Sequence, residues 1–100
     1  MSEDTLNVRL YKRMLQAIDD YQSKSLGISQ LISDLEGLHN FLDHPDENWI
    51  NNFYQYWMPL EEIYAVALDR KQSEFDEHSQ TIIGQSLGKL KELIVSKLPR

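Results

Sequence analysis

Apolar residues recur every three to four positions through four stretches of this chain, and no stretch alternates with the period of two expected of a half-buried strand. The first runs from about Thr5 to Tyr21, with Leu6, Leu10, Met14, Ala17, Ile18 and Tyr21 on one side. Arg9, Lys12, Arg13 and Asp20 occupy the others. Ser23 to Gly27 supplies turn residues, and Gly27 is expected to take a left-handed position closing the first helix. Ile28, Leu31, Ile32, Leu35, Leu38 and Leu42 form the stripe of a second helix. That helix is expected to stop near His44, because a residue before proline avoids helical geometry.

Pro45 suits the first turn of a third helix, and Asp46 and Glu47 suit its positive end. Trp49, Phe53, Tyr56, Trp57, Leu60, Ile63, Tyr64, Ala67 and Leu68 then cover an arc of ~140° on an ideal wheel. An arc that wide predicts packing against two neighbours, with Trp49, Phe53, Trp57 and Leu60 in the core. Pro59 interrupts the pattern and predicts a kink or split there, since it lacks an N–H and crowds the preceding turn. The connection after it is expected over residues 69–73 or a little longer. A fourth helix, from about Asp76 to Lys97, aligns Ile83, Leu87, Leu90, Ile94 and Leu98. Gly84 and Gly88 weaken that helix by ~1 kcal/mol each relative to alanine, unless close packing explains them. The expected fold is all-α: a compact antiparallel four-helix bundle, one domain over residues 1–100, kinked or split in its third helix near Pro59.

Composition narrows the classes of function. With 100 residues, 41% hydrophobic, the chain can bury a core. It has no cysteine, hence no disulfide, thiolate nucleophile or cysteine metal site. The start, Met-Ser-Glu-Asp, lacks the basic and apolar regions of a signal peptide, and no run is long enough to span a bilayer. A soluble, cytoplasmic protein with no membrane partner is expected.

Charge is more informative than composition. Between Lys24 and Arg70 there is no lysine or arginine, while eight carboxylates and seven of the ten aromatic residues fall there. Residues 34–77 carry eleven acids against Arg70 and Lys71, within a net charge of −6 for the chain. Residues 78–100 are net basic. The basic end either folds onto the acidic segment or leaves it free for a partner. A negative surface of this kind attracts cationic partners and repels nucleic acid. Arg9, Lys12 and Arg13 are the nearest approach to a basic patch, and such a cluster is usually a solvated face.

Motifs for chemistry are sparse. Glu36 and His39 have the spacing used by di-iron bundles, but that architecture needs a second such pair and further inward glutamates. A hydrogen-bonded structural histidine is the commoner outcome at the edge of an apolar stripe. Glu74 and His78 meet across a helical turn only if the fourth helix begins early. Adjacent acids such as Glu61 and Glu62 diverge by roughly 100° on a helix and make no catalytic dyad by themselves. Gly84 and Gly88 lack the lysine and hydroxyl of a phosphate loop, so helical packing is their simpler explanation. No catalytic activity, cofactor or metal is expected. The residues that point to binding are Glu47, Tyr54, Met58, Glu61 and Ala65, which align along one side of the third helix, away from its densest apolar arc. Tyrosine and methionine flanked by acids suit an anchor with a charged rim, to which Glu62 adds.

The segments LISDLEGLHNFLD (31–43), LEEIYAVALD (60–69) and IIGQSLGKLKELI (82–94), with Trp49, Phe53 and Trp57 between, resemble small all-helical bacterial proteins of polymorphic toxin loci. In particular they look like an immunity protein of a contact-dependent growth-inhibition system. The resemblance spans roughly residues 10–95 and rests mostly on helix-core positions. It implies a cytoplasmic inhibitor, monomeric when free, that binds a cognate toxin domain, often a basic nuclease, and does not bind nucleic acid itself. The resemblance carries over no contact positions; helix spacing and charge make Glu47, Tyr54, Met58, Glu61 and Glu62 the expected partner-binding residues. A small regulatory or scaffolding bundle with a non-toxin partner is the alternative.

Overall fold

Helix boundaries follow from three side-chain caps. A computed structural model of the protein describes residues 5–72 and 74–99. Among these residues the structure is all-α: α1 (Leu6–Gln22), α2 (Ile28–Asn40), α3 (Glu47–Asp69) and α4 (Glu77–Val95). Thr5, Asp46 and Asp76 are extended residues whose side-chain oxygens accept the N–H groups of Val8, Trp49 and Ser79, at 3.2, 2.7 and 2.7 Å. Each thereby satisfies a donor that the first helical turn leaves unpaired. Donation from the Trp49 and Ser79 backbone holds the carboxyls of Asp46 and Asp76 below the ordinary carboxylate range.

The chain end of α1 departs from expectation. Gly27 is extended, at φ −79, and serves as the N-cap of α2. The left-handed position belongs to Lys24, at φ 68. Ser25 N–H reaches back to the Asp20 carbonyl and Lys24 N–H to that of Tyr21, the paired bonds of a Schellman closure. The same closure ends α3, where Lys71 is left-handed at φ 55 and Gln72 and Lys71 bond to Ala67 and Leu68. Two lysines therefore occupy positions where glycine is the usual residue.

Two further expectations are corrected. α2 stops at Asn40 and not near His44: Phe41 and Leu42 turn back onto Leu38 and His39 with tighter bonds. Leu42 is buried all the same, so the apolar stripe continued past the end of its helix. Close packing does not account for Gly84 and Gly88. A Cβ at either would meet nothing within 4 Å, and neither has positive φ. The link from α3 to α4 extends to Asp76, and Ser73 within it lies outside the described residues.

The four helices form a ring of neighbours in a helical bundle. α1 packs on α2, α2 on α3, α3 on α4, and α4 closes back on α1. The molecule measures 49 × 28 × 19 Å with a radius of gyration of 14.1 Å. That exceeds the ~13 Å of a rounder domain of this length because α3, 23 residues, is roughly 34 Å long. Its central layer contains Met14 and Ile18 from α1, Leu31 and Leu35 from α2, Trp49, Phe53 and Leu60 from α3, and Leu87, Leu90 and Ile94 from α4. All are essentially inaccessible. Trp57 is also buried. Pro59 lies inside α3, which continues to Asp69.

Polar links join the ends. Asn7 donates to the Asp43 carbonyl at 2.9 Å and accepts the Asp43 N–H at 2.8 Å, tying the start of α1 to the α2–α3 connection. Lys97, just past α4, reaches the capping carboxylate of Asp46 at 3.0 Å. Lys91 reaches Gln22 and Asp19 of α1, at 2.8 and 3.5 Å. No helix among the described residues is long and apolar enough to cross a membrane.

Two stability measurements check this account of the backbone. Gly84→Ala and Gly88→Ala each place a methyl group in open space on a helix interior, so each raises unfolding free energy by ~1 kcal/mol in urea titrations. A loss of stability in either would reveal packing at that face. Lys24→Gly relieves a left-handed backbone at a cost of ~1 kcal/mol for a side-chain-bearing residue, and its denaturation midpoint should rise. An unchanged or lower midpoint would show that Lys24 is unstrained.

Candidate functional site

The seam between α2 and α3 gathers four of the ten aromatic residues, Trp49, Phe53, Tyr54 and Trp57, into one cluster with His39. Trp49, Phe53 and Trp57 lie four residues apart on α3, with successive ring centroids at 5.8 and 6.5 Å and interplanar angles of 28° and 19°. His39 of α2 lies flat on Phe53, centroids 4.4 Å apart and planes 6° from parallel. Its Nδ1 accepts the Trp49 indole N–H at 3.0 Å. Trp57 donates its own indole N–H to the Ile32 carbonyl at 3.0 Å. Both buried indoles are thus satisfied by α2, as large amphipathic rings require when taken from water. Tyr11 of α1 meets the edge of Trp49 at 5.0 Å and carries the aromatic cluster across the bundle.

This geometry assigns His39 a structural role. An acceptor Nδ1 means that the proton sits on Nε2 and the ring is neutral. Burial pushes its pKa below the ordinary histidine value, while the Glu36 carboxylate pulls the other way. Glu36 and His39 do not belong to any cluster of three ligating side chains among the described residues. Glu74 lies before the start of α4, so a shared helical turn does not bring it to His78.

The expected partner-binding residues divide into two groups. Glu47, Met58, Glu61 and Glu62 are exposed, Met58 to 42%. Tyr54 is only half-exposed. Its ring edges against His39 at 5.1 Å and Trp57 at 5.7 Å, and its hydroxyl donates to Glu36 at 3.4 Å. That distance is long for a bond to a carboxylate, so the tie is weak. Burial and the Glu36 charge both raise the Tyr54 pKa, and the phenol remains a donor at neutral pH. Ala65 is exposed on the same side of α3.

Electrostatics separates the acids in a way that composition did not. Asp46 is neutralised by Lys97 and Asp19 by Lys91. Glu47, Glu61 and Glu62 have no ion-pair partner among the described residues. The basic end of the chain therefore folds partly back, yet leaves this face of α3 unneutralised. Sequence reasoning did not find the His39–Trp49 bond or the Glu36–Tyr54 tie. Both depend on how α2 is set against α3, which residue spacing within either helix does not encode. No family model, curated protein or solved structure matches the chain.

Acidification tests the histidine assignment. The unfolded chain takes up the imidazole proton near pH ~6.5, before the folded chain does. Stability is therefore full above that value and falls as pH drops toward the lowered folded value. The urea midpoint should decrease between about pH 7.5 and about pH 5.5, and decrease less in His39→Gln, which has no such proton to bind. Asp46 and Asp76 act below this window, because their depressed values lie under 3.8. Equal decreases in the two proteins would remove His39 as the source.

Proposed function

We propose that this protein is a non-enzymatic binding domain that captures a cationic protein partner on the outer face of α3. The observation that carries this reading is that Glu61 and Glu62, one turn beyond the exposed side chain of Met58, and Glu47, about three turns before it at the start of α3, are exposed and without a cation among the described residues. Unneutralised carboxylates accelerate the encounter with a basic surface, and Met58, flexible and polarizable, adapts to the contact. Tyr54 borders this face and supplies a ring already ordered by His39 and Trp57, so docking against it immobilises few rotamers.

The resemblance to immunity proteins makes a toxin domain, a basic nuclease for example, the partner of this reading. The domain is then a cytoplasmic, stoichiometric inhibitor that is monomeric until bound. Successive helices run antiparallel around the ring. α3 bends at Pro59, where the missing N–H leaves the Gln55 carbonyl without its helical donor. The bend separates a first half of α3, ordered by α2 through its rings, from a second half that carries Glu61 and Glu62.

The test is binding to the toxin domain encoded beside this gene. Changing Glu61 and Glu62 together to lysine should slow association about tenfold at low ionic strength, and less in high salt. Circular dichroism establishes first that the variant folds. If the folded variant associates and protects cells like the unaltered protein, the acidic face is not the interface. If the unaltered protein binds a cationic protein other than the toxin and gives no protection, the regulatory bundle replaces the immunity reading.

A further inference from the structure

α3 outruns the helix that covers it. Its bonds with α2 pair later residues of one helix with earlier residues of the other: Trp49 with His39, Tyr54 with Glu36 and Trp57 with Ile32. On that count Ile28, the first residue of α2, stands opposite about Glu61, and the last two turns of α3, ~12 Å, run past it. Trp57, Glu61, Tyr64 and Leu68 share one side of α3 at spacings of four, three and four. Trp57 is buried against α2, Tyr64 is half-buried, and Leu68, three turns on, is 60% exposed. The early start of α2 thus leaves an apolar ledge, which the exposed Ala65 widens. Glu61 lies within the row, with Glu62 and Asp69 exposed beside it.

Charge selects the occupant. Every charged side chain of α2 and α3 is a carboxylate: Asp34, Glu36, Glu47, Glu61, Glu62 and Asp69. Arg70 and Lys71 follow the far end of α3, and Arg70 lies within electrostatic reach of Asp76 at the start of α4. Lys24 of the α1–α2 turn lines a different hollow with Glu74 and Phe75, while Lys89 and Lys91 of α4 are held by Glu92 and Asp19. We propose, resting on the α3 reading above, that the ledge seats a short basic amphipathic helix of the partner protein, packed on α3 in the line that α2 leaves empty. Its apolar residues cover Tyr64, Ala65 and Leu68, and its lysines or arginines meet Glu61 and Glu62. Arg70 and Lys71 set the polarity, so the partner's cations lie toward the middle of α3. The ledge presents ridges of side chains rather than a sheet edge, which a helix matches and a strand does not.

A second copy of this chain offers no such helix. The cations of the described residues lie on α1, on α4 and in the segments outside the helices. The apolar stripes of α1 and α4 are buried in their own core, and each helix leaves one large apolar side chain exposed, Leu6 and Val95. A single side chain does not make the row that the ledge would cover.

Fluorescence anisotropy with three synthetic peptides of about three turns tests the proposal. The first is a helix with a leucine stripe flanked by lysines. The second is the same peptide with two central residues changed to proline, and the third carries glutamates in place of the lysines. The first should bind saturably and about tenfold or more tightly than the other two. Leu68→Ser and Glu61→Lys should each weaken it about tenfold. Val95→Ser and Glu92→Lys, the equivalent changes on α4, should leave it unchanged and so separate local contact from net charge. All four positions are exposed, and thermal melts verify that the variants fold. Equal binding of the helical and proline peptides, or indifference to Leu68→Ser, overturns the helix docking. The α3 reading survives that result, and falls only if reversing Glu61 and Glu62 leaves capture of a cationic protein unchanged. Sedimentation showing a dimer that Leu68→Ser dissociates would overturn the docking in favour of a second copy.

Discussion

The hydrogen bond from the Trp49 indole to His39 Nδ1, 3.0 Å long and closed off by Phe53, sets the constraint on which the rest of the bundle depends. Neither partner is tolerable alone in a buried seam. An unsatisfied indole N–H or imidazole nitrogen costs on the order of 1–3 kcal/mol away from water. Together they demand a neutral imidazole with its proton on Nε2. They also fix one angular setting of α2 against α3, because a rotation of either helix removes the bond. Trp57 repeats the arrangement two turns further on by reaching the Ile32 carbonyl, so α3 is pinned to α2 at two points along its length.

That setting also determines what the surface presents. With Trp49, Phe53 and Leu60 facing inward, Met58, Glu61 and Glu62 necessarily face out, since they occupy other sides of the same helix. Tyr54 falls between the two sides: its ring borders the aromatic cluster and its hydroxyl leans on Glu36. A partner on α3 would thus meet a surface stiffened from beneath. The N-terminus of α3 is fixed by the Asp46 cap and by Lys97, which links it to the end of α4. The molecule also separates its charges. Lysines of α4 and its C-terminal turn are spent on Asp19 and Asp46, whereas the acids of α3 and the arginines of α1 have no ion-pair partner among the described residues.

Much of the fold was legible because helical periodicity is a local signal. The stripes of α1, α3 and α4 are buried over most of the positions that residue spacing gives them, but Leu6 and Leu68 at their ends stand exposed, and Pro45, expected in the first turn of α3, precedes its cap Asp46. The errors have a common cause. Leu42 carried the apolar stripe beyond α2, since a buried leucine has the same pattern whether the backbone is helical or turning. Gly27 was the natural candidate for a left-handed closure, but the hydrogen bonds back to Asp20 and Tyr21 fall three residues earlier and impose that geometry on Lys24. Gly84 and Gly88 suggested a close helix contact, yet α4 turns that face to open space.

By itself, then, the sequence determined four amphipathic helices, their buried stripes and the unbroken acidity from Lys24 to Arg70, because spacing and charge are properties of neighbouring residues. Only the tertiary structure decided which acids are neutralised, that His39 receives the Trp49 proton donor, and that Leu68 stands exposed past the start of α2. Each of these joins residues of different helices or exposes them through the packing of others. Such relations depend on helix rotation and order around the ring, which local periodicity leaves undetermined.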